Sequence, residues 1–161
     1  MPSPFLSARA VMGALLVLCA TLPARGAAEA PAAAPPLVPV YAPDAALLQA
    51  FGGEEGLRRL ADDFVDRMHA DPRIGHYLAK TKLPTLKKNL ADQLCQWLAG
   101  PCVYEGDSMR ASHAELGIDR ADSLAHVEVL QASMDAHGID FRGQNQLLAR
   151  LAPMYRDIIK R

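Results

Sequence analysis

From residue 54 onward, apolar side chains recur at a spacing near 3.6, which is the period of an α-helix. The first such series consists of Leu57, Leu60, Phe64 and Met68. No segment alternates apolar and polar residues over a useful length, as a half-buried strand would. The spacing therefore predicts an all-α domain, in which the pair Gly52-Gly53 precedes the first long helix.

Three more main helices are expected, giving four in all. The second ends at Gly100-Pro101, and the third begins at Asp119, a residue type that caps helix N-termini well. The last contains Pro153, which should kink the helix or remove one of its hydrogen bonds. Between the second and third helices lies a long irregular connection. Such connections in compact domains are usually functional or disordered, so we expect a site there.

The N-terminal residues have a different composition. Arg9 is followed by an apolar run over residues 10–22 and then by small residues, which is the order of a secretory signal peptide. We expect a signal peptide over 1–28 and a periplasmic or secreted mature chain, with an uncleaved membrane anchor as the alternative. Residues 29–43 contain five prolines and are expected to form an extended linker. The folded domain is expected at 44–161.

Charge and motifs exclude several function classes. The formal net charge is −1, and there is no Lys/Arg-rich strip interleaved with aromatic residues, so nucleic-acid binding is not expected. No glycine-rich phosphate loop is present, and no Ser or Cys stands in a known nucleophile context. The five histidines form no pair with zinc-ligand spacing.

Two cysteines, Cys95 and Cys102, remain once the signal peptide is removed. Their C-x6-C spacing fits neither a zinc site nor a thioredoxin motif, and export makes a disulfide conceivable. Within one regular helix their Cα atoms would lie about 10 Å apart, beyond the ~7 Å limit for a bridge. Gly100-Pro101 ends the helix before Cys102, however, and could fold the chain back.

Several motifs together resemble a known family. They are the Gly52-Gly53 pair, the segment GPCVYEGDSMRASH at 100–113 and the terminal LLARLAPMYRDI at 147–158. In this order and spacing, residues 51–161 look like a group 1 truncated haemoglobin, here an exported member of proteobacterial type. The resemblance implies the truncated globin fold, a two-over-two helical sandwich, with haem as the cofactor.

On that resemblance His113 is the metal ligand, on the proximal side of the haem iron. Iron takes a neutral imidazole nitrogen, and the other ring N–H of a ligating histidine usually donates to a carbonyl. Met109 could supply that carbonyl if the turn is helical. Tyr104 occupies the family position whose hydroxyl approaches a haem propionate, with ordinary rim packing as the alternative. The other expected haem contacts are Phe64, Leu86 and Leu90.

The distal side departs from the family pattern. Val65 stands where many members have a tyrosine that hydrogen-bonds oxygen, and Leu86 and Leu90 stand where others often have glutamine. Gln93 shares their helical face and is the only evident polar candidate, although it could instead face solvent. The distal pocket is therefore expected to contain Val65 and Gln93, and oxygen would lack its usual partner.

The resemblance implies a protein that binds a diatomic gas (O2, NO or CO), with NO and O2 redox chemistry as an extension. Whether it is an enzyme, and which reductase it would use, is left open. One alternative is an electron-transfer haem protein with His69 or His76 as a second iron ligand. Another is a globin-shaped module that has lost haem. Three departures from the family pattern favour that last reading: Val65, Leu78 and Ser123.

Overall fold

The computed structural model describes residues 41–42 and 44–159. Within them the chain is helical and contains no strand, as the apolar spacing predicts. The expected signal peptide lies outside the described residues, as does the expected linker apart from Tyr41 and Ala42. No helix in the described part combines the length and apolarity needed to cross a membrane.

The described residues form seven α-helices and two 3-10 turns. In chain order they are α1 Ala45–Ala50, α2 Gly53–Ala70, the turn Gly75–Leu78, α3 Leu83–Trp97, α4 Met109–His113, α5 Arg120–Ala136, α6 Phe141–Leu151, the turn Ala152–Met154 and α7 Tyr155–Ile158. The four longest, α2, α3, α5 and α6, are the four main helices that the spacing predicts. The short helix α1 was not expected.

Helix α2 is the centre of the packing. The two residues before and at its start, Gly52 and Gly53, have φ values of 77° and 65°, a region that glycine enters at little steric cost. The predicted apolar face of α2 is buried, with Leu57 and Leu60 fully inaccessible to solvent. This face packs against α3 on one side and α5 on the other.

The end of α3 reverses the chain. Ala99 adopts a left-handed φ of 59°. Its N–H donates to the Gln96 carbonyl at 3.0 Å, and the Gly100 N–H donates to the Cys95 carbonyl at 2.8 Å. These are the two bonds of a Schellman motif. The reversal brings Cys102 back to Cys95, and the two form a disulfide with a Cα–Cα distance of 5.7 Å.

Helix α5 begins with the expected cap. The Asp119 carboxylate accepts the N–H groups of Ala121 and Asp122, and the Asp122 carboxylate accepts the N–H of Asp119, which completes a capping box. The Tyr77 hydroxyl also donates to Asp122 Oδ2 at 2.7 Å. This bond joins the turn after α2 to α5, raises the pKa of Tyr77 to about 12 and lowers that of Asp122.

Pro153 interrupts the last helical segment as expected. Regular helix α6 ends at Leu151, a 3-10 turn follows, and α7 begins at Tyr155. Proline cannot donate to the preceding turn and its ring crowds the carbonyl four residues earlier, which accounts for the break. The change of direction places α7 against α4. Proline is thus used here to position the short helix that contains His113.

Candidate functional site

A large cavity lies among the helices, with a volume of about 1040 Å³. Every α-helix except α1 contributes residues to its wall, and the wall is mostly apolar. Ligand-binding cavities in proteins typically measure about 300–1,000 Å³. This cavity is therefore large enough for a bulky, mainly apolar group. Because most of the wall is apolar, such a group would leave few polar atoms of the wall without a hydrogen-bond partner.

Helix α4 places His113 on the wall of this cavity. The helix begins at Ser108, whose hydroxyl oxygen accepts the Ala111 N–H at 3.2 Å. One helical turn after Met109, the Nδ1 atom of His113 lies 2.8 Å from the Met109 carbonyl oxygen. The Ser112 hydroxyl lies 2.9 Å from the same nitrogen. The ring of His113 is therefore held by its own helix.

This contact fixes which ring nitrogen of His113 is free. A carbonyl oxygen only accepts hydrogen bonds, so a neutral ring must have its proton on Nδ1 in order to donate to Met109. The lone pair then belongs to Nε2. The Met109 carbonyl has the role that the sequence predicted for it, and an imidazole oriented in this way is a typical ligand for a metal centre.

Met109 also contacts a buried residue of α3. The Gln93 side-chain amide donates to the Met109 sulfur, with 3.7 Å between Nε2 and Sδ. Gln93 is only 5% exposed and lines the cavity, so the alternative that it faces solvent is wrong. The contact couples α3 to the helix that positions His113. It uses one N–H of the one polar residue that the sequence suggested for the distal pocket.

Tyr104 lines the cavity from the connection before α4. Its hydroxyl donates to the Asp107 carbonyl at 2.7 Å, and its N–H donates to the Gln96 side chain at 2.8 Å. The ring covers Gly106, where an added Cβ would lie 2.5 Å from the hydroxyl oxygen. Burial raises the pKa of Tyr104. In this structure the hydroxyl is thus bonded within its own loop, as in the rim-packing alternative.

The predicted apolar contacts divide into two groups. Phe64, Leu86 and Leu90 line the cavity, and so does the aromatic residue Tyr77. Val65 of α2, in contrast, is 0% exposed in the core and is not part of the cavity wall. One step along a helix rotates the side chain by about 100°, so Phe64 and Val65 point in different directions. The expectation that Val65 faces a ligand is corrected by this placement.

The residue that sequence reasoning missed is His126 on α5. It lines the cavity, and its ring meets the Phe64 ring edge-on with 5.0 Å between centroids. Burial, together with the nearby His113, lowers the pKa of His126 to about 4. Helical spacing could have found it, because His126 lies four residues before the buried Leu130 and so shares its face.

The two histidines named as alternative iron ligands lie elsewhere. His69 and His76 are exposed, and neither belongs to the cavity wall. The His76 ring instead stacks against Tyr77 at a centroid distance of 4.0 Å. A second imidazole ligand from either residue would need a different local structure, so these positions do not support the electron-transfer alternative.

A family model described as bacterial-like globin matches residues 46–160. The chain belongs to the bacterial-like globin family. A group 1 truncated haemoglobin from Tetrahymena pyriformis is 26% identical over 93 residues, which cover 58% of this globin and 77% of the relative. Another, from Mycolicibacterium paratuberculosis, is 25% identical over 114 residues, covering 71% and 84%. The resemblance to a group 1 truncated haemoglobin is confirmed, and the exported proteobacterial type stays a prediction.

Solved structures agree with this assignment of the fold. The Tetrahymena pyriformis truncated haemoglobin superimposes with a TM-score of 0.68 at 23% identity, covering 71% of this globin and 98% of that chain. A haemoglobin from Chloroflexus aurantiacus superimposes with a TM-score of 0.62 at 26% identity and the same coverage. The predicted truncated globin fold is confirmed.

Membership of the globin family makes haem the cofactor of this protein and gas binding at haem its general function. The cavity fits that group on its own observations. It is large and mainly apolar, and His113 reaches its wall with Nδ1 bonded and Nε2 free. Haem iron in globins is held by one such imidazole.

Proposed function

We propose that His113 would hold haem iron through Nε2 and that this iron would bind a diatomic gas, O2, NO or CO. The observation that supports this most directly is the 2.8 Å contact between His113 Nδ1 and the Met109 carbonyl. It leaves one imidazole lone pair at the wall of an apolar cavity of about 1040 Å³. A bound haem supplies the iron at which the gas binds.

The remaining residues of the site would bind and orient the haem. Phe64, Leu86 and Leu90 offer apolar surface from α2 and α3, and Tyr104 closes the wall near α4. Burying a flat apolar group against them releases water and contributes about 25 cal/mol per Å² of apolar area. The same surface keeps water away from the iron, which favours reversible binding of a gas.

Spectra of the full chain with haem supplied test this proposal. Titration with haem should saturate at one haem per chain, and the reduced protein should bind CO with a change in its absorption spectrum. Failure to take up haem stoichiometrically would instead support the alternative of a globin-shaped module that has lost its cofactor. Redox chemistry of NO with O2 is an extension of the proposal, tested by NO consumption in the presence of oxygen.

We also propose that the protein is exported. The support is the charged, apolar and small-residue order of residues 1–28, which lie outside the described part of the structure. Export would place the protein where the disulfide between Cys95 and Cys102 is stable. N-terminal sequencing of protein recovered from the cell envelope should find the first thirty or so residues removed, and an intact Met1 on cytosolic protein would contradict export.

A further inference from the structure

His126 is a polar side chain on the cavity wall without a hydrogen-bond partner among the described residues. Its ring contacts Phe64 edge-on, at 5.0 Å between centroids, and this contact restricts its rotation. His126 is half-buried, so water in the cavity can reach its ring as long as nothing else fills the cavity. A group that fills the cavity displaces this water, and because buried polar groups in proteins are nearly always paired, the bound ligand would then be the partner of His126.

The two cavity histidines come from different parts of the fold. His113 belongs to α4, which packs against α7. His126 belongs to α5, which packs against α2, and its ring contacts Phe64 of α2. The two imidazoles therefore reach the cavity from different helices. Side chains of α2, α3 and α5 would also border a group held by His113.

We propose that His126 would donate a hydrogen bond to the gas ligand of a haem held by His113. This inference rests on the proposed function, because it needs haem held by His113. Phe64, Leu86 and Leu90, the apolar haem contacts that the sequence predicts on α2 and α3, line the cavity and have no polar group. One N–H of the Gln93 amide is already donated to the Met109 sulfur.

The chemistry of the imidazole fits this role. A neutral ring has one N–H and one lone pair, so it can donate one hydrogen bond. The pKa near 4 keeps the ring neutral at pH 7. Oxygen gains negative charge when it binds haem iron, and a donor stabilises it more than it stabilises the less polar CO. His126 would thus favour oxygen over CO. The apolar distal pocket predicted from the sequence would not favour oxygen in this way.

The test compares the haem-loaded full chain with His126→Leu, which removes the N–H and retains apolar volume. Loss of a hydrogen bond to a charged acceptor should speed oxygen release in stopped-flow measurements by about 10-fold or more. The CO stretching frequency in the infrared should rise, because a donor near CO lowers it. His126→Gln, which keeps an N–H donor, should lie between the two. His137→Leu is the matched control, since His137 is outside the cavity wall.

The outcomes separate this inference from the proposed function. Both the inference and the proposed function are supported if wild type and His126→Leu each take up one haem per chain and only the variant shows faster oxygen release and a raised CO frequency. Uptake with unchanged release and frequency in both His126 variants overturns the role of His126 and leaves the proposed function intact. A six-coordinate low-spin ferrous spectrum that His126→Leu abolishes also overturns it, because His126 would then ligate iron itself. Absence of haem uptake by the wild type overturns both.

Discussion

At the scale of single residues, the two histidines that line the cavity have different chemical environments. His113 is bonded through Nδ1 to the Met109 carbonyl, which orients the ring and leaves Nε2 available. His126 has an aromatic neighbour, Phe64, and no hydrogen-bond partner among residues 41–42 and 44–159. The first arrangement suits a metal ligand, and the second leaves the ring available to hydrogen-bond a ligand in the cavity.

The lowered pKa of His126 has a consequence for stability. Its folded-state pKa of about 4 lies below the ordinary value of 6.5, so the unfolded chain binds a proton at a higher pH than the folded chain does. Between pH 6.5 and 4 the haem-free protein should therefore lose free energy of unfolding as the pH falls. The slope from this one group approaches about 1.4 kcal/mol per pH unit.

Urea unfolding of haem-free wild type and His126→Leu over this pH range measures the effect. Carboxylates contribute to both proteins, so the difference between the two curves isolates His126. The variant should lose less stability on acidification, while His69→Leu, a change at an exposed histidine, should follow the wild type. Parallel curves for wild type and His126→Leu would show that folding does not lower the pKa of His126.

How far the site could be predicted differs from residue to residue. His113 and Met109 stand in a motif with fixed spacing, and a helical turn suffices to join the ring to the carbonyl. The spacing of a motif does not show whether the Val65 side chain faces the cavity or the core, because this depends on the rotation of α2 against its neighbours. No sequence motif marks His126, because it is a lone histidine within a helix. Its helical position nevertheless places it on the same face as buried residues of α5.

At the scale of elements, α4 depends on its surroundings. It has five residues, and isolated helices shorter than about 12–15 residues are marginal in water. Its support comes from the Ser108 cap, from packing against α7 and from the connection before it. The disulfide between Cys95 and Cys102 fixes the start of that connection to the end of α3. The position of His113 therefore depends on several weak local contacts together.

Removing the disulfide should lower stability measurably. The bridge closes a loop of sequence separation 7. In the chain-entropy model its reduction costs about 2–3 kcal/mol of unfolding free energy. Denaturant titrations of the wild type with and without reductant measure this directly. Cys102→Ser, which leaves the buried Cys95 in place, should match the reduced wild type and should not respond to reductant.

A thiol assay supplies the independent check on this prediction. Non-reduced peptide mapping should find Cys95 and Cys102 in one bridged fragment. Two free thiols in the protein recovered from the cell envelope, or equal midpoints with and without reductant, would contradict the stabilising role.

Element boundaries were predictable where a single residue decides them. Asp119 caps α5 and Pro153 interrupts the helix after α6, each as local chemistry requires. Helix α1 was missed because six residues after a proline-rich stretch are too few to show a period. Its sequence signal is Asp44, whose side chain accepts the Leu47 N–H at 3.0 Å. The sequence does not decide whether the chain reverses after α3, because the reversal depends on Ala99 adopting a left-handed conformation.

At the scale of the whole molecule, the helices enclose a cavity rather than a fully packed core. Leu94, Leu130 and Leu147 are nearly or fully inaccessible and anchor the helices around it. The class of fold followed from apolar spacing, because burial of one face of each helix is a general requirement. The cavity itself could not be derived from spacing, since residues facing it and residues facing the core are equally apolar.

The central claim is that His113 is the ligand of haem iron, and spectra of His113→Ala test it most directly. The wild type and His69→Ala, in which an exposed histidine outside the cavity is replaced, should take up one haem per chain and give the same ferrous–CO spectrum. His113→Ala should lose tight haem uptake, and added imidazole should restore part of it by replacing the missing ligand. A His113→Ala protein that binds haem stoichiometrically with the wild-type ferric, ferrous and CO spectra would contradict the account.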